Sequence, residues 1–250
     1  MATKTLNAHV DYFGLVKSSN GALKIVDSAE NRAKTSVSGA NLYGDITVVD
    51  SFGETAAPTA NYELVGNLTD ATMPNMGTVV TVDGLSKPFV LGGLTINTST
   101  GAAPAVSASG QMVQTGAKQL RKYVLPGINL TPRHRAQDFM GLCSIKKGSA
   151  AADDKEDYGL ESVNASFPIE ITTAVPQGEV VAYDLHGGMA TCVFTMNWYS
   201  DADPVVELSE TATALEATIS SPVTKSTPRN GYTQYTWTVS FPFVGEEVAA

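Results

Sequence analysis

The chain has 250 residues and a mass of 26.2 kDa, enough for one large or two ordinary domains that bury their cores without disulfides. It is 43% hydrophobic and 16% charged, rich in Thr, Ser, Val, Ala and Gly, and short of the residues that helices favour, so a mainly β chain is expected. A net charge of -9 excludes a generally basic, nucleic-acid-binding surface.

That charge is unevenly spread. Residues 1–116 carry a net -3, residues 117–147 carry +6, and residues 148–250 carry -12. The opening MATKTLNAHVDYF lacks the apolar core of a secretory signal, and no later stretch has the roughly 18 apolar residues of a membrane span. Synthesis in a cytoplasm and no membrane association are therefore expected. Cys143 and Cys192 are too few and too far apart for a disulfide framework or a zinc site, and read as small buried hydrophobes.

The first unit begins with a turn signal at Ser19-Asn20-Gly21 and reaches the segment Gly44 to Gly53. That segment aligns without a gap on Gly178 to Gly187, at an offset of 134 residues. Both end glycines match, Asp50 matches Asp184, Asp45 faces Glu179, and Ile46 faces Val180. Beyond it, Ala60, Tyr62 and Leu64 alternate with polar residues as Phe194, Met196 and Trp198 do at the same offset, which preserves strand parity. Further turn signals fall at Asp83-Gly84 and Gly92-Gly93, before the closing alternation of Val106, Ala108, Gly110 and Met112.

The basic stretch 117–147 predicts a short helix. Thr131 is a capping residue, Pro132 suits the first turn, and Phe139 and Leu142 share a face within Arg133–Leu142. Arg133 and Arg135 oppose the helix dipole in that first turn, which points to an acidic partner elsewhere. The second unit opens with the acidic run Asp153, Asp154, Lys155, Glu156 and Asp157, read as a solvated loop. It continues through Gly187-Gly188 and closes on Tyr235, Trp237, Val239, Phe241 and Phe243, with Asn230-Gly231 as the best hairpin turn. The expected architecture is two tandem related β-sandwich or barrel-like units, 1–116 and 148–250, joined by a connector at 117–147 with one short helix.

Chemistry is sparse. His9, His134 and His186 are scattered, and no nucleophile elbow, phosphate loop, dinucleotide fingerprint or zinc-protease helix occurs. Asp184 and His186 share one face of a strand, but the first unit has Asp50 and Phe52 there, so they read as ordinary residues beside a turn. No catalytic residue, metal ligand or cofactor site is assigned, and the chain is not expected to be an enzyme. The candidate interface residues are Arg121, Lys122, Arg133, Arg135, Lys146 and Lys147 on the basic side, and Asp153, Asp154, Glu156 and Asp157 on the acidic side.

A duplicated β-unit with acidic halves and a basic connector, seen in Gly44 to Leu64 and Gly178 to Trp198, resembles the virion structural proteins of tailed bacteriophages, particularly tail-tube-like proteins. The resemblance is one of architecture. It implies a homo-oligomer packing on other virion proteins, rings built from β-edges, residence in the virion, and passive DNA passage along an acidic lumen without specific nucleic-acid binding. Capsid decoration and baseplate proteins share these features. A carbohydrate- or surface-binding module is the reading from another class, with Trp198, Tyr199, Tyr232, Tyr235 and Trp237 as stacking faces. Trp198 and Trp237 fall on apolar strand faces, which favours core packing.

Overall fold

The computed structural model describes residues 9–18, 21–69, 77, 79–82, 87–113, 121–123, 125, 129–131, 141–147, 158–199, 203–219, 223–229 and 231–247. Alternation of apolar and polar side chains gives the chain its long strands. After a short helix α1 (Leu15–Ser18), the first unit is built from β1 (Leu23–Ala40), β2 (Ile46–Leu64), β5 (Phe89–Ser99) and β6 (Ala102–Met112), with the short strands β3 (Leu68–Thr69) and β4 (Val79–Val80) between. Three short strands follow: β7 (Arg121–Lys122), β8 (Asn129–Leu130) and β9 (Cys143–Lys147). The second unit comprises β10 (Tyr158–Ala174), β11 (Val181–Gly187), β12 (Met189–Trp198), β13 (Pro204–Leu208), helix α2 (Glu210–Ala214), β14 (Thr218–Ile219), β15 (Thr224–Ser226), β16 (Thr233–Pro242) and β17 (Glu246–Glu247).

One large antiparallel sheet runs through both units in the order β1-β2-β6-β5-β10-β12-β16-β14, with β4, β11 and β15 pairing off this path. It is an open sheet, not a closed barrel. The mainly β expectation therefore holds, and the two units are fused edge to edge. Strand β10 pairs with β5 from Ser162–Ser99 to Pro168–Gly93.

The strand registers carry the mark of a duplication. In the β1–β2 hairpin the pairing shifts between Ile25–Tyr62 and Asp27–Asn61, and again between Val37–Asp50 and Ser38–Val48. In the second unit it shifts between Leu160–Met196 and Ser162–Thr195, and between Thr172–Asp184 and Thr173–Ala182. These are corresponding positions: Tyr62 to Met196 and Asp50 to Asp184 keep the offset of 134 found in sequence, and Ile25 to Leu160 and Val37 to Thr172 exceed it by one. Bulges place one residue out of pairing and bend a strand, so their recurrence at matched sites is far more specific than alternation. Gly44 and Gly178, aligned in sequence, both sit at the hairpin tip with φ +83, in the left-handed region that glycine enters without a Cβ clash.

The remaining strands correspond through their partners. Val106 and Ala108 of β6 face Tyr62 and Ala60, as Tyr235 and Trp237 of β16 face Met196 and Phe194. Ile96 of β5 and Lys225 of β15 then occupy one position, facing Val106 and Tyr235. The fourth strand, whole as β5, is broken into β14 and β15 in the second unit. Equally, β2 is continuous, whereas its counterpart is divided at Gly187-Gly188 into β11 and β12.

One face of the sheet is apolar and buried. Ala60, Tyr62 and Leu64, with Phe194, Met196 and Trp198, lie in the core as the parity predicts, and so do Tyr235, Trp237, Val239, Phe241 and Phe243. Phe194 stacks on Trp237 at 5.2 Å between ring centres, and Tyr12 meets Phe89 edge-on at 5.3 Å. The segment from Tyr12 to Leu15 and the β9–β13 pair with α2 supply the covering layer, contributing Phe13, Leu142, Ile145 and Ala212 to the same core.

Two sequence expectations need correction. Gly92-Gly93 is no turn but lies inside β5 at a register shift, where a Cβ on Gly92 would stand 2.4 Å from Cδ1 of Ile171. Gly187-Gly188 does not reverse the chain but separates two collinear strand segments, and a Cβ on Gly187 would collide with the carbonyl of Phe243. The hairpin predicted at Asn230-Gly231 exists as the β15–β16 pair, although Asn230 itself lies outside the described residues. The predicted helix falls almost wholly outside them. Gly141 and Leu142, its last residues, are in a 3-10 helical turn, and the described strands of 117–147 are β7, β8 and β9, which pair with β17, β3 and β13 and so tie the connector into both units.

Trp237 is buried and its Nε1–H has no hydrogen-bond partner among the described residues. Trp237→Ala should destabilise the fold by about 3–5 kcal/mol through the cavity it leaves. Trp237→Phe should cost clearly less, because no hydrogen bond of the indole is lost. Denaturant unfolding of the two variants measures the difference.

Candidate assembly interface

Among the described strands, the two ends of the large sheet are its candidate surfaces for assembly. At one end lies β1, paired on its inner side with β2; at the other lie β14 and β15, paired on their inner side with β16. Inside the chain, the corresponding strands β10 and β5 are joined. The residue pair Ala165–Ile96 at the centre of that junction corresponds to Glu30 at the first end and Lys225 at the other. Glu30 is held beside Arg32, whose Nε donates to its Oε1 at 2.8 Å, and Lys225 donates to Asp203 at 2.7 Å and lies over the ring of Tyr235. Sequence reading missed this acid–base opposition, because both residues are ordinary surface charges until the strand order aligns them.

The face of the sheet away from the core is a carpet of hydroxyls and amides. Thr59, Asn61, Ser107, Ser109, Thr95 and Asn97 of the first unit continue into Asn164, Ser166, Thr191, Thr195, Thr236 and Thr238 of the second, none of them in the core. Asn61 donates to Asp27 and accepts from Ser107. At its β1 end this face also carries charge, with Asp27 in register with Asn61 and Lys24 with Glu63.

The hairpin arms distinguish the two units. The arm formed by the outer half of β10 with β11 lies across the first unit: Val180 N–H donates to the Glu54 carbonyl at 2.8 Å, and Gln111 Nε2 donates to the Val180 carbonyl at 3.1 Å. Ala182 bridges Val113, Leu185 is fully buried, and Lys87 pairs with Glu179. The matching arm of the first unit has no such seat among the described residues. Its tip exposes Leu42, Tyr43 and Ile46 at 102%, 91% and 78%.

Of the residues proposed from sequence, several find partners within the chain. Arg121 Nε lies 3.4 Å from Asp184, Lys146 pairs with Glu207 at 2.5 Å, and Lys122 is in backbone register with Glu246. Lys147 ends β9, in register with Pro204, but its side chain lies outside the described residues. Arg133, Arg135, Asp153, Asp154, Glu156 and Asp157 also lie outside them. Arg121 and Lys146 are thus paired with acids of the second unit, because the fold brings β7 beside β11 and β9 beside β13.

His186 Nε2 approaches Asp184 at 3.5 Å on an exposed strand face, and among the described residues no group of three metal-ligating side chains occurs. Cys143 and Cys192 are buried and form no disulfide, and burial pushes the Cys192 thiol up to about 12, with a smaller push from Cys143. Trp198, Tyr235 and Trp237 are buried, leaving Tyr199 and Tyr232 as an exposed edge-to-face pair at 4.5 Å. No described helix is long and apolar enough to cross a membrane. Comparison with protein-family models and with curated proteins finds no match to this chain.

Asp184 carries a pH prediction. The backbone N–H of Leu185, and then Arg121, hold its carboxyl below the ordinary 3.8. A group depressed on folding adds stability above its unfolded value and loses it as pH falls through the folded value. Asp184→Asn should therefore flatten the fall in stability below about pH 4 and leave its pH slope near neutrality unchanged, as read from urea midpoints across that range. The thiol of Cys192 should be inert to a thiol reagent in the native chain near pH 8 and react on unfolding.

Proposed function

We propose that this chain is a non-enzymatic structural protein that assembles head to tail with copies of itself, each chain's β15 edge adding to the β1 edge of the next. The observation that carries this reading is the internal junction. The second unit already adds its first strand to the last strand of the first unit, and the same two kinds of edge stand at the ends of the sheet. A long open edge is an aggregation hazard unless it is covered or has a partner, and strand addition is a standard way of giving it one.

In the register of the internal junction, Glu30 faces Lys225 of the neighbour, so charge complementarity would select the in-register pairing. Head-to-tail contacts of this kind close into a ring or run on as a filament, according to the rotation each adds. A duplicated unit halves the number of chains a ring of given size requires. With the resemblance drawn from sequence, this favours a virion component of the tail-tube type over a surface-binding module, whose stacking aromatics are mostly buried. If the open face lines a lumen, its hydroxyls and amides, with Lys24, Asp27 and Glu63 at the β1 end, offer DNA few cations to bind and only a weak repulsive field.

Sedimentation and negative-stain microscopy of the purified chain test the reading. Rings, tubes or higher oligomers are expected, and a monomer at every salt and protein concentration overturns it. Lys225→Glu should shift the assembly equilibrium toward monomer, and combining it with Glu30→Lys should restore assembly, since the pair is reversed rather than removed.

A further inference from the structure

The two hairpin arms are equivalent in register yet differ in what covers them. That inequality leads beyond edge pairing. The arm of the second unit leaves the sheet at Pro168, crosses the end of β5 where Gly92 makes room for Ile171, and reaches the ends of β6 and β2. It is fixed there by the Ala182–Val113 bridge and the Val180 backbone bonds. The first unit's arm has the same bulges and the same glycine turn. It carries Leu42, Tyr43 and Ile46 where the second arm has Pro176, Gln177 and Val180.

A two-stranded ribbon standing alone in water is marginally stable, and three large apolar side chains at its tip add to the cost of exposure. The receiving surface also has its counterpart. Val113, buried beneath the second arm, corresponds to Pro242 at the end of β16, which is exposed. Pro242 borders a cleft of about 340 Å³ lined by Leu215, Glu216, Phe241, Phe243 and Val244, with Val244 77% exposed. An apolar tip and a cleft of mixed lining, with Val244 exposed at its rim, thus stand at the two positions whose equivalents are already joined inside the chain.

The chain cannot join its own pair. Six strand spacings separate β1 from β16 in the sheet, about 29 Å at about 4.8 Å each, and the first unit's arm projects from the β1 end. We propose that the β1–β2 arm of each chain seats in the Leu215–Val244 cleft of the preceding copy, the one whose β15 edge pairs with its β1, as the β10–β11 arm seats on the first unit. Val48 then takes the place of Ala182, opposite Pro242. This rests on the head-to-tail reading and adds a second, independent contact to it. Edge pairing sets the strand register, and the arm strap sets the angle between neighbours and resists their separation.

Disulfide trapping between two full-length single variants tests the seat. Val48→Cys chains mixed with Pro242→Cys chains under mild oxidation should give a product of doubled mass on a non-reducing gel, absent from either variant alone and from a mixture using Glu63→Cys instead of Val48→Cys. Leu42→Ser combined with Tyr43→Ser in the Val48→Cys chain should abolish that product. If the mixtures sediment as assemblies and no Val48→Cys to Pro242→Cys product appears, the arm seat is wrong while the edge-to-edge reading stands. If the chains remain monomeric throughout, both fall.

Discussion

The rest of this structure depends on the ladder between β5 and β10. Seven residue pairs, from Ser162–Ser99 to Pro168–Gly93, turn two four-stranded units into one sheet with one continuous core. On the buried side Val163, Ala165 and Phe167 meet Thr98, Ile96 and Leu94. Thr98, a polar residue in this apolar setting, satisfies its hydroxyl by donating to the Val163 carbonyl and accepting from the Val163 N–H, both at 3.3 Å. The ladder stops at Pro168, which has no N–H to offer, and there β10 turns from its β12 partner toward β11. The end of the junction is therefore also the root of the arm that crosses back over the first unit.

From that constraint the unequal surfaces follow. Because the units join last strand to first strand, the sheet ends in strands of two different kinds, and only one of the two arms has a first unit beside it to rest on. The acidic excess of the second unit is partly spent on the basic strands β7 and β9, through Arg121–Asp184 and Lys146–Glu207. These are partly exposed pairs, worth little individually, and they orient segments more than they stabilise them. The assembly account needs no further basic patch, since the opposition of Glu30 and Lys225 lies at the sheet ends themselves.

Much of the fold was legible in sequence. Strand parity at Tyr62 and Met196, or at Val106 and Tyr235, depends only on which face meets the core, and burial enforces it at every second residue. The match of Gly44 with Gly178 was legible too, but their place at the hairpin tips, where a left-handed residue is needed, emerged only with the strand pairing. The fusion of the units was not, since edge-to-edge pairing is carried by backbone bonds that leave little trace in side-chain identity. Gly92 and Gly187 misled for a related reason: glycine marks close approach as often as a turn, and only tertiary packing tells which applies. The basic stretch suggested an external acidic partner; Arg121 and Lys146 also find acids on β11 and β13 within the chain, a proximity that sequence cannot show, while Arg133 and Arg135 lie outside the described residues. The candidate interface of Glu30, Lys225 and the first arm could not be found from sequence, as it exists only once the strand order is known.

Amide hydrogen exchange, compared between assembled particles and dissociated chains, tests the edge-to-edge account most directly. The β5 and β10 amides should be protected in both states, and those of β1 around Ser28 to Asn31, with those of β15, should become protected only on assembly. Particles in which β1 and β15 exchange as fast as in the dissociated chain would contradict it.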